Sequence, residues 1–147
     1  MDERHNNRRI SNMSKTYYLF ISHSWAYGDA YERLTKMLDG QIAYHDYSVP
    51  KDDPIHNAGT DAELEAAIKE QMKHASVILI MAGKYSTYSK WIKKEIKLAQ
   101  SGFSTPKPII AITPFGADQI SGVVKEAADE VVKWNTASIV DAIKRWG

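Results

Sequence analysis

No cysteine occurs in the 147 residues, which removes disulfide bridges, thiolate nucleophiles and cysteine-ligated zinc at once. An excess of either charge is missing too. The 19 lysines and arginines oppose 18 aspartates and glutamates for a formal charge of +1, so the balance gives no reason to expect nucleic acid as a partner. The longest apolar run, Ser76–Gly83 (SVILIMAG), falls far short of the roughly 20 residues that span a bilayer, and no membrane partner is expected. The opening MDERHNNRRISNMS has no apolar core of the kind a secretory signal needs. It reads as a disordered leader, residues 1–14, to a cytoplasmic domain over residues 15–147. GxGxxG and GxxxxGK[ST] are both absent, which withdraws support from a dinucleotide-binding Rossmann fold or a P-loop nucleotide hydrolase. No histidine pair stands at i, i+4, so a metal site has no starting point and no metal is expected.

What is present is an ordinary globular composition, 44% hydrophobic and 25% charged, in a length that suits one domain with one core. Apolar β-rich runs alternate with helical periodicity. Lys15–Ser22 (KTYYLFIS) reads as a strand and Tyr27–Leu38 as the helix after it, through Tyr31, Leu34, Met37 and Leu38. Ile42–Tyr47 is a shorter, more polar strand suited to a sheet edge. The dozen residues of SVPKDDPIHNAG, Ser48–Gly59, form a loop long enough to expect function of it. Thr60 with Glu63 predicts a capping box that opens a helix through Leu64, Ala67, Ile68 and Met72.

Ser76–Ala82 is a continuous apolar run, as expected of a central parallel strand covered on both faces. Ser89–Gly102 (SKWIKKEIKLAQSG) reads as an amphipathic helix stopped by glycine, followed by a buried strand over Pro108–Thr113. A helix over Ala117–Ala128, a short strand over Val131–Trp134 and a helix from its Asn135 cap to Trp146 complete the chain. The alternation predicts an α/β, flavodoxin-like three-layer sandwich: a five-stranded parallel sheet in the order 2-1-3-4-5, with helices on both faces. In such sheets ligands bind beyond the carboxyl ends of the strands where strand order reverses, here between the first and third strands. Ser22, His23, Ser24 and Trp25, then Gly83, Lys84 and Tyr85, are delivered there. The loop after the second strand can close over them.

One residue breaks the pattern of the Ser89–Gly102 helix. Ile92, Ile96 and Ala99 mark a buried stripe with Trp91 and Leu98 beside it, and Lys93, Lys94 and Lys97 a solvated face. At about 100° per residue, Glu95 lies roughly 60° from Ile92, on the border of the stripe. A phosphoacceptor receiver shares this topology but needs an acidic pair after the first strand and an aspartate after the third, where this chain has SHSW and AGKY. SHSWAYGD is also a poor flavin phosphate loop.

Three segments in order carry a family resemblance: KTYYLFISHSW, YHDYSVPKDDPI and SKWIKKEIKLAQSG, the last with Trp91 four residues before Glu95. They resemble the Toll/interleukin-1 receptor (TIR) superfamily, in particular its prokaryotic TIR-like branch, which includes the TIR-like proteins of Thoeris antiphage defence. The resemblance runs from about Lys15 to Trp146. It implies that Glu95 is the catalytic position for cleaving the nicotinamide–ribose bond of NAD, which is substrate and not a cofactor. The implied product is ADP-ribose or a cyclic or conjugated derivative that signals to a separate effector protein. That the chain carries no effector domain of its own fits a maker of signals. Ser22, His23, Tyr47, Lys84 and Trp91 are the expected substrate-binding residues.

Plainer readings stand beside these. Glu95 can be a helical carboxylate paired with Lys94 or a neighbouring lysine, Trp91 a packing residue, Ser22 and His23 local caps, and Asp52 and Asp53 solvated loop acids. Lys84, Lys90, Lys93, Lys94 and Lys97 form either a soluble face or a field that steers a dinucleotide. Among Tyr44, Tyr47, Tyr85 and Tyr88, Tyr47 is preferred for stacking on a base, because it opens the long loop. The alternative function is a non-catalytic adaptor that works through self-association, as a homo-oligomer, or through protein–protein contacts.

Overall fold

The computed structural model describes residues 15–22, 29–48, 60–83, 90–114 and 121–147. Five strands, β1 (Thr16–Ile21), β2 (Ala43–Asp46), β3 (Val77–Met81), β4 (Ile109–Ile112) and β5 (Glu130–Val132), form one sheet in the order β2-β1-β3-β4-β5. All four neighbouring pairs are parallel. The helices among the described residues are α1 (Ala30–Leu38), α2 (Asp61–Met72), α3 (Lys90–Ser101), α4 (Gly122–Ala127) and α5 (Thr136–Trp146). This is the flavodoxin-like α/β architecture that the alternation of β-runs and capped helices predicts.

The period-2 alternation of the strands splits the core into two layers. Leu19, Ile21, Val77, Leu79, Ile110 and Ile112 pack on one face with Leu34 and Leu38 of α1 and Ile139, Val140 and Ile143 of α5. Phe20, Ile78, Ile80, Ile109 and Ala111 pack on the other with Leu64, Ile68 and Met72 of α2 and Ile92, Ile96 and Ala99 of α3. Ile78, Leu79 and Ile80 are all completely buried, so β3 is covered on both sides. Each such side chain contributes about 1.5–3 kcal/mol of burial free energy, which is why β3 is the centre and the more polar β2 an edge.

Helix ends follow their sequence signals. Glu63 N–H donates to Thr60 Oγ1 at 3.1 Å, and Ser138 N–H to Asn135 Oδ1 at 2.8 Å, placing the starts of α2 and α5 where the caps predict. Gly102 N–H donates to Leu98 O at 2.8 Å to close α3. A side chain there would bring its Cβ to 2.7 Å from that same carbonyl, so glycine is needed.

Two expected boundaries move. The helix expected over Ala117–Ala128 begins only at Gly122, because Ser121 takes the cap and accepts from Val124 N–H at 3.4 Å; residues 117–120 lie outside the described residues. The last strand is Glu130–Val132, not Val131–Trp134, since its register with Ile110–Ile112 ends at Val132. The leader expected over residues 1–14 and most of the loop expected over Ser48–Gly59 also lie outside the described residues. Among the described residues no helix is long and apolar enough to cross a membrane.

Candidate functional site

The sheet order reverses between β1 and β3, and Ser22 stands at that point. Its N–H donates to Leu79 O at 2.8 Å, which carries the β1–β3 ladder one residue past the end of β1. Pleating turns its side chain to the same face as Phe20, the face covered by α3. There Ser22 Oγ donates a hydrogen bond of 2.8 Å to Glu95 Oε1. Ser22 is 2% exposed and Glu95 0%.

The position of Glu95 corrects the reading that put it on the border of the stripe. Leu98, expected only beside the stripe, is buried together with Ile92, Ile96 and Ala99. On a 100° wheel the buried arc then runs about 160°, from Leu98 round to Ile96, and Glu95 falls near its middle. A carboxylate fully withdrawn from water is costly unless donors replace its hydration. The Ser22 hydroxyl is one such donor. Lys90, Lys94 and Lys97 find carboxylates on α2: Lys90 Nζ lies 2.6 Å and Lys94 Nζ 3.8 Å from Asp61, and Lys97 Nζ lies 3.1 Å from Glu65. Lys90 and Lys94 hold the Asp61 carboxyl below its usual range. These pairs tie α3 to α2 in parallel.

Trp91, one helical turn before Glu95, is half-buried and packs against the same core layer. Tyr47 leaves β2 beside β1, its N–H donating to Leu19 O at 2.8 Å. Its ring stacks on His74 at 5.2 Å and Tyr18 at 6.2 Å between centroids, with His45 at 6.3 Å. These contacts take the Tyr47 ring toward the C-terminal end of α2. His23 and Lys84 lie outside the described residues, as do Ser24, Trp25, Asp52, Asp53, Tyr85 and Tyr88. Of the six expected site residues, the recorded contacts join Ser22 directly to Glu95 and place Trp91 in the same layer.

Sequence reading missed the anchoring of the β2 end. Asp46 Oδ2 accepts from the Tyr31 hydroxyl and Asp46 Oδ1 from Ser48 N–H at 2.8 Å. The second of these was legible, since an aspartate bonding the backbone two residues on is a turn signal. Burial, reinforced by the Asp46 hydrogen bond and charge, pushes the Tyr31 hydroxyl up to about 12. Among the described residues no group of three or more metal-ligating side chains comes together. Two open depressions, about 440 Å³ beside Trp134 and about 370 Å³ between α2 and α3, are lined by neither Ser22 nor Glu95.

A parallel sheet in this order, with a strand-end hydroxyl at the switch point bonded to a buried helical carboxylate, fits the TIR-like class of α/β domains. The family model for the TIR-like domain of Thoeris protein ThsB matches residues 20–119, and the chain belongs to that family of antiphage defence proteins. The matched span runs from Phe20 through β2, β3, α3 and β4, and so contains the Ser22–Glu95 pair. A search of curated proteins found no match to the chain.

Proposed function

We propose that this domain cleaves the nicotinamide–ribose bond of NAD, with Glu95 as the catalytic residue, and that the ADP-ribose-derived or cyclic product signals to a separate effector of the Thoeris system. The observation that carries the reading is a completely buried carboxylate hydrogen-bonded at the switch point of the sheet. Such a group serves this chemistry. As the glycosidic C–N bond breaks, its electron pair goes to the nicotinamide nitrogen, which loses its positive charge and needs no proton. The ribose left behind is an oxocarbenium-like cation, and a carboxylate bonded to its hydroxyls stabilises the developing charge; because Glu95 has no exposure, substrate entry must uncover it. Water then adds to the ribose carbon and gives up a proton, or a hydroxyl or ring nitrogen of the same molecule closes a cycle. His23, Tyr47, Lys84 and Trp91 are proposed to hold the dinucleotide, within a domain over residues 15–147.

The test is incubation of the purified protein with NAD, with and without phage-infected lysate, and mass spectrometry of the products. Nicotinamide release by the wild type, and its loss in Glu95→Gln, is the expected result. No release under either condition, or undiminished release by a folded Glu95→Gln protein, would overturn the reading.

The adaptor reading is favoured by a different observation. Tyr18, 41% exposed, stacks on His45 at 5.7 Å beside the sheet edge formed by β2, which leaves a ring-lined face on the domain surface. Self-association through that face predicts a sedimentation coefficient that rises with concentration in the wild type and not in Tyr18→Ser.

A further inference from the structure

We infer that Ser22 is a positioning residue for the Glu95 carboxylate and not a substrate contact; this rests on the proposal that Glu95 is catalytic. The substrate-binding role expected for Ser22 needs its hydroxyl to reach a ligand. Its one proton is instead spent on Glu95 Oε1 over 2.8 Å; since Glu95 is as deeply buried as Ser22, at 0% against 2% exposure, it is the direction of that hydrogen bond and not burial that separates their roles. The hydroxyl is held there at both ends. The Ser22 backbone is tied into the sheet through its N–H to Leu79 O at 2.8 Å. Glu95 is carried on a helix whose flanking residues Ile92, Ile96, Leu98 and Ala99 are all buried.

Two consequences follow from that geometry. A hydroxyl fixed to the most rigid part of the sheet selects one orientation of a carboxylate that otherwise turns about its terminal torsion, which is broad and has no sharp staggered minima. It also supplies a charge-assisted hydrogen bond, which favours the ionised form against the burial that opposes it. Both effects act on the transition state, where the carboxylate must be charged and correctly aimed. Neither acts on the affinity for NAD itself.

The experiment measures kcat and KM for NAD with Ser22→Ala and Ser22→Cys beside Glu95→Gln and the wild type. Positioning predicts that Ser22→Ala lowers kcat about 10- to 100-fold, the loss of one hydrogen bond to a charged group, while KM stays within about twofold. Ser22→Cys, close in volume and a weaker donor, should fall between alanine and the wild type and serves if Ser22→Ala does not fold. In a Glu95→Gln background, Ser22→Ala should add little further loss of the residual rate, because the group it aims has gone. A KM raised tenfold or more by Ser22→Ala with kcat unchanged would restore the substrate-contact role and overturn the inference, with Glu95 still catalytic. Glu95→Gln with full activity would instead remove the reading on which the inference stands.

Discussion

Replacing Glu95 by glutamine should stabilise the domain while it abolishes turnover. Glu95 is 0% exposed, so its ionised carboxylate carries a desolvation cost of several kcal/mol even after relaxation. Its hydrogen bond from Ser22 offsets part of that, at about 1.5–3 kcal/mol for a bond to a charged group. Glutamine keeps the volume and the helix propensity, and its carbonyl still accepts from the Ser22 hydroxyl, now as a neutral bond of about 0.5–1.5 kcal/mol. About 1 kcal/mol of hydrogen-bond strength is therefore lost, while the larger cost of a buried charge is replaced by the smaller one of a buried amide, about 1–3 kcal/mol. Counting the Ser22 bond alone, the balance is a gain of about 1–2 kcal/mol, and every further donor to Glu95 reduces it. For a chain of this length that is a rise in Tm of about 2–8 °C. The assay is a circular dichroism melt of both proteins at pH 7.5 and equal concentration, paired with the nicotinamide release measurement. A Tm lowered by more than about 4 °C would refute the reasoning, because Glu95 would then be a structural keystone whose charge the fold depends on.

Ile80→Ala in the centre of β3, a site with no exposure, should cost about 2–5 kcal/mol and lower the guanidinium midpoint at unchanged slope. Asn135→Ala removes the acceptor for Ser138 N–H and should cost α5 about 1 kcal/mol, with Asn135→Gly costing only a few tenths, by the same denaturation curves. Alkali should weaken the domain through Tyr31, whose hydroxyl is raised from 10.0 to about 12 by burial and by Asp46. A raised folded-state value means the contribution is fully present below pH 10 and is lost as pH climbs toward about 12, because the unfolded chain releases the proton first. Absorbance titration at the phenolate band should show two late-ionising tyrosines, Tyr31 and Tyr44, the second raised by burial and by its hydrogen bond to Asp39; Tyr31→Phe should remove one of them, and an unchanged titration curve would contradict the assignment. Acid should loosen the Glu130 clamp, which Arg145 and the Trp146 indole hold below the ordinary carboxylate range. That contribution is fully present above the usual value and is lost as pH falls from there through the lowered folded-state value, so Glu130→Gln should flatten the acid limb of a stability–pH profile.

The fold was readable because each strand and helix carried its own signal. The four-residue run of buried aliphatics from Val77 to Ile80 could only be a covered strand, and the Thr60 and Asn135 caps set helix starts to the residue. The described part of the helix expected from Ala117 starts at Gly122, with Ser121 as its cap, a hydroxyl that the sequence reading passed over. The site was legible in part. Periodicity located Glu95 near the buried stripe but weighted Leu98 too lightly, so the depth of its burial was underestimated. Its bond to Ser22 spans 73 residues of sequence, and no local pattern reports a contact at that distance. Likewise the ring cluster of Tyr18, His45, Tyr47 and His74 joins β1, β2 and the end of α2. Only the register Tyr18↔His45 brings the first two side by side.

The same helix also shows how one element serves packing and chemistry without the two interfering. Ile92, Glu95, Ile96, Leu98 and Ala99 of α3 are turned inward, and all but Glu95 of this buried set are apolar. Lys90, Lys94 and Lys97 have carboxylates waiting on α2, at Asp61 and Glu65. Lys90 is 67% and Lys97 67% exposed in its side chain, so these pairs are surface interactions worth only a fraction of a kcal/mol each. Their use is to engage the positive charges of α3 on a neighbour. A polar residue placed in the apolar arc of a helix, bonded to the end of a central strand, weakens the fold relative to leucine at that position. Folding alone gives no account of it, whereas the proposed cleavage does, since a carboxylate is the group that a ribosyl cation would need.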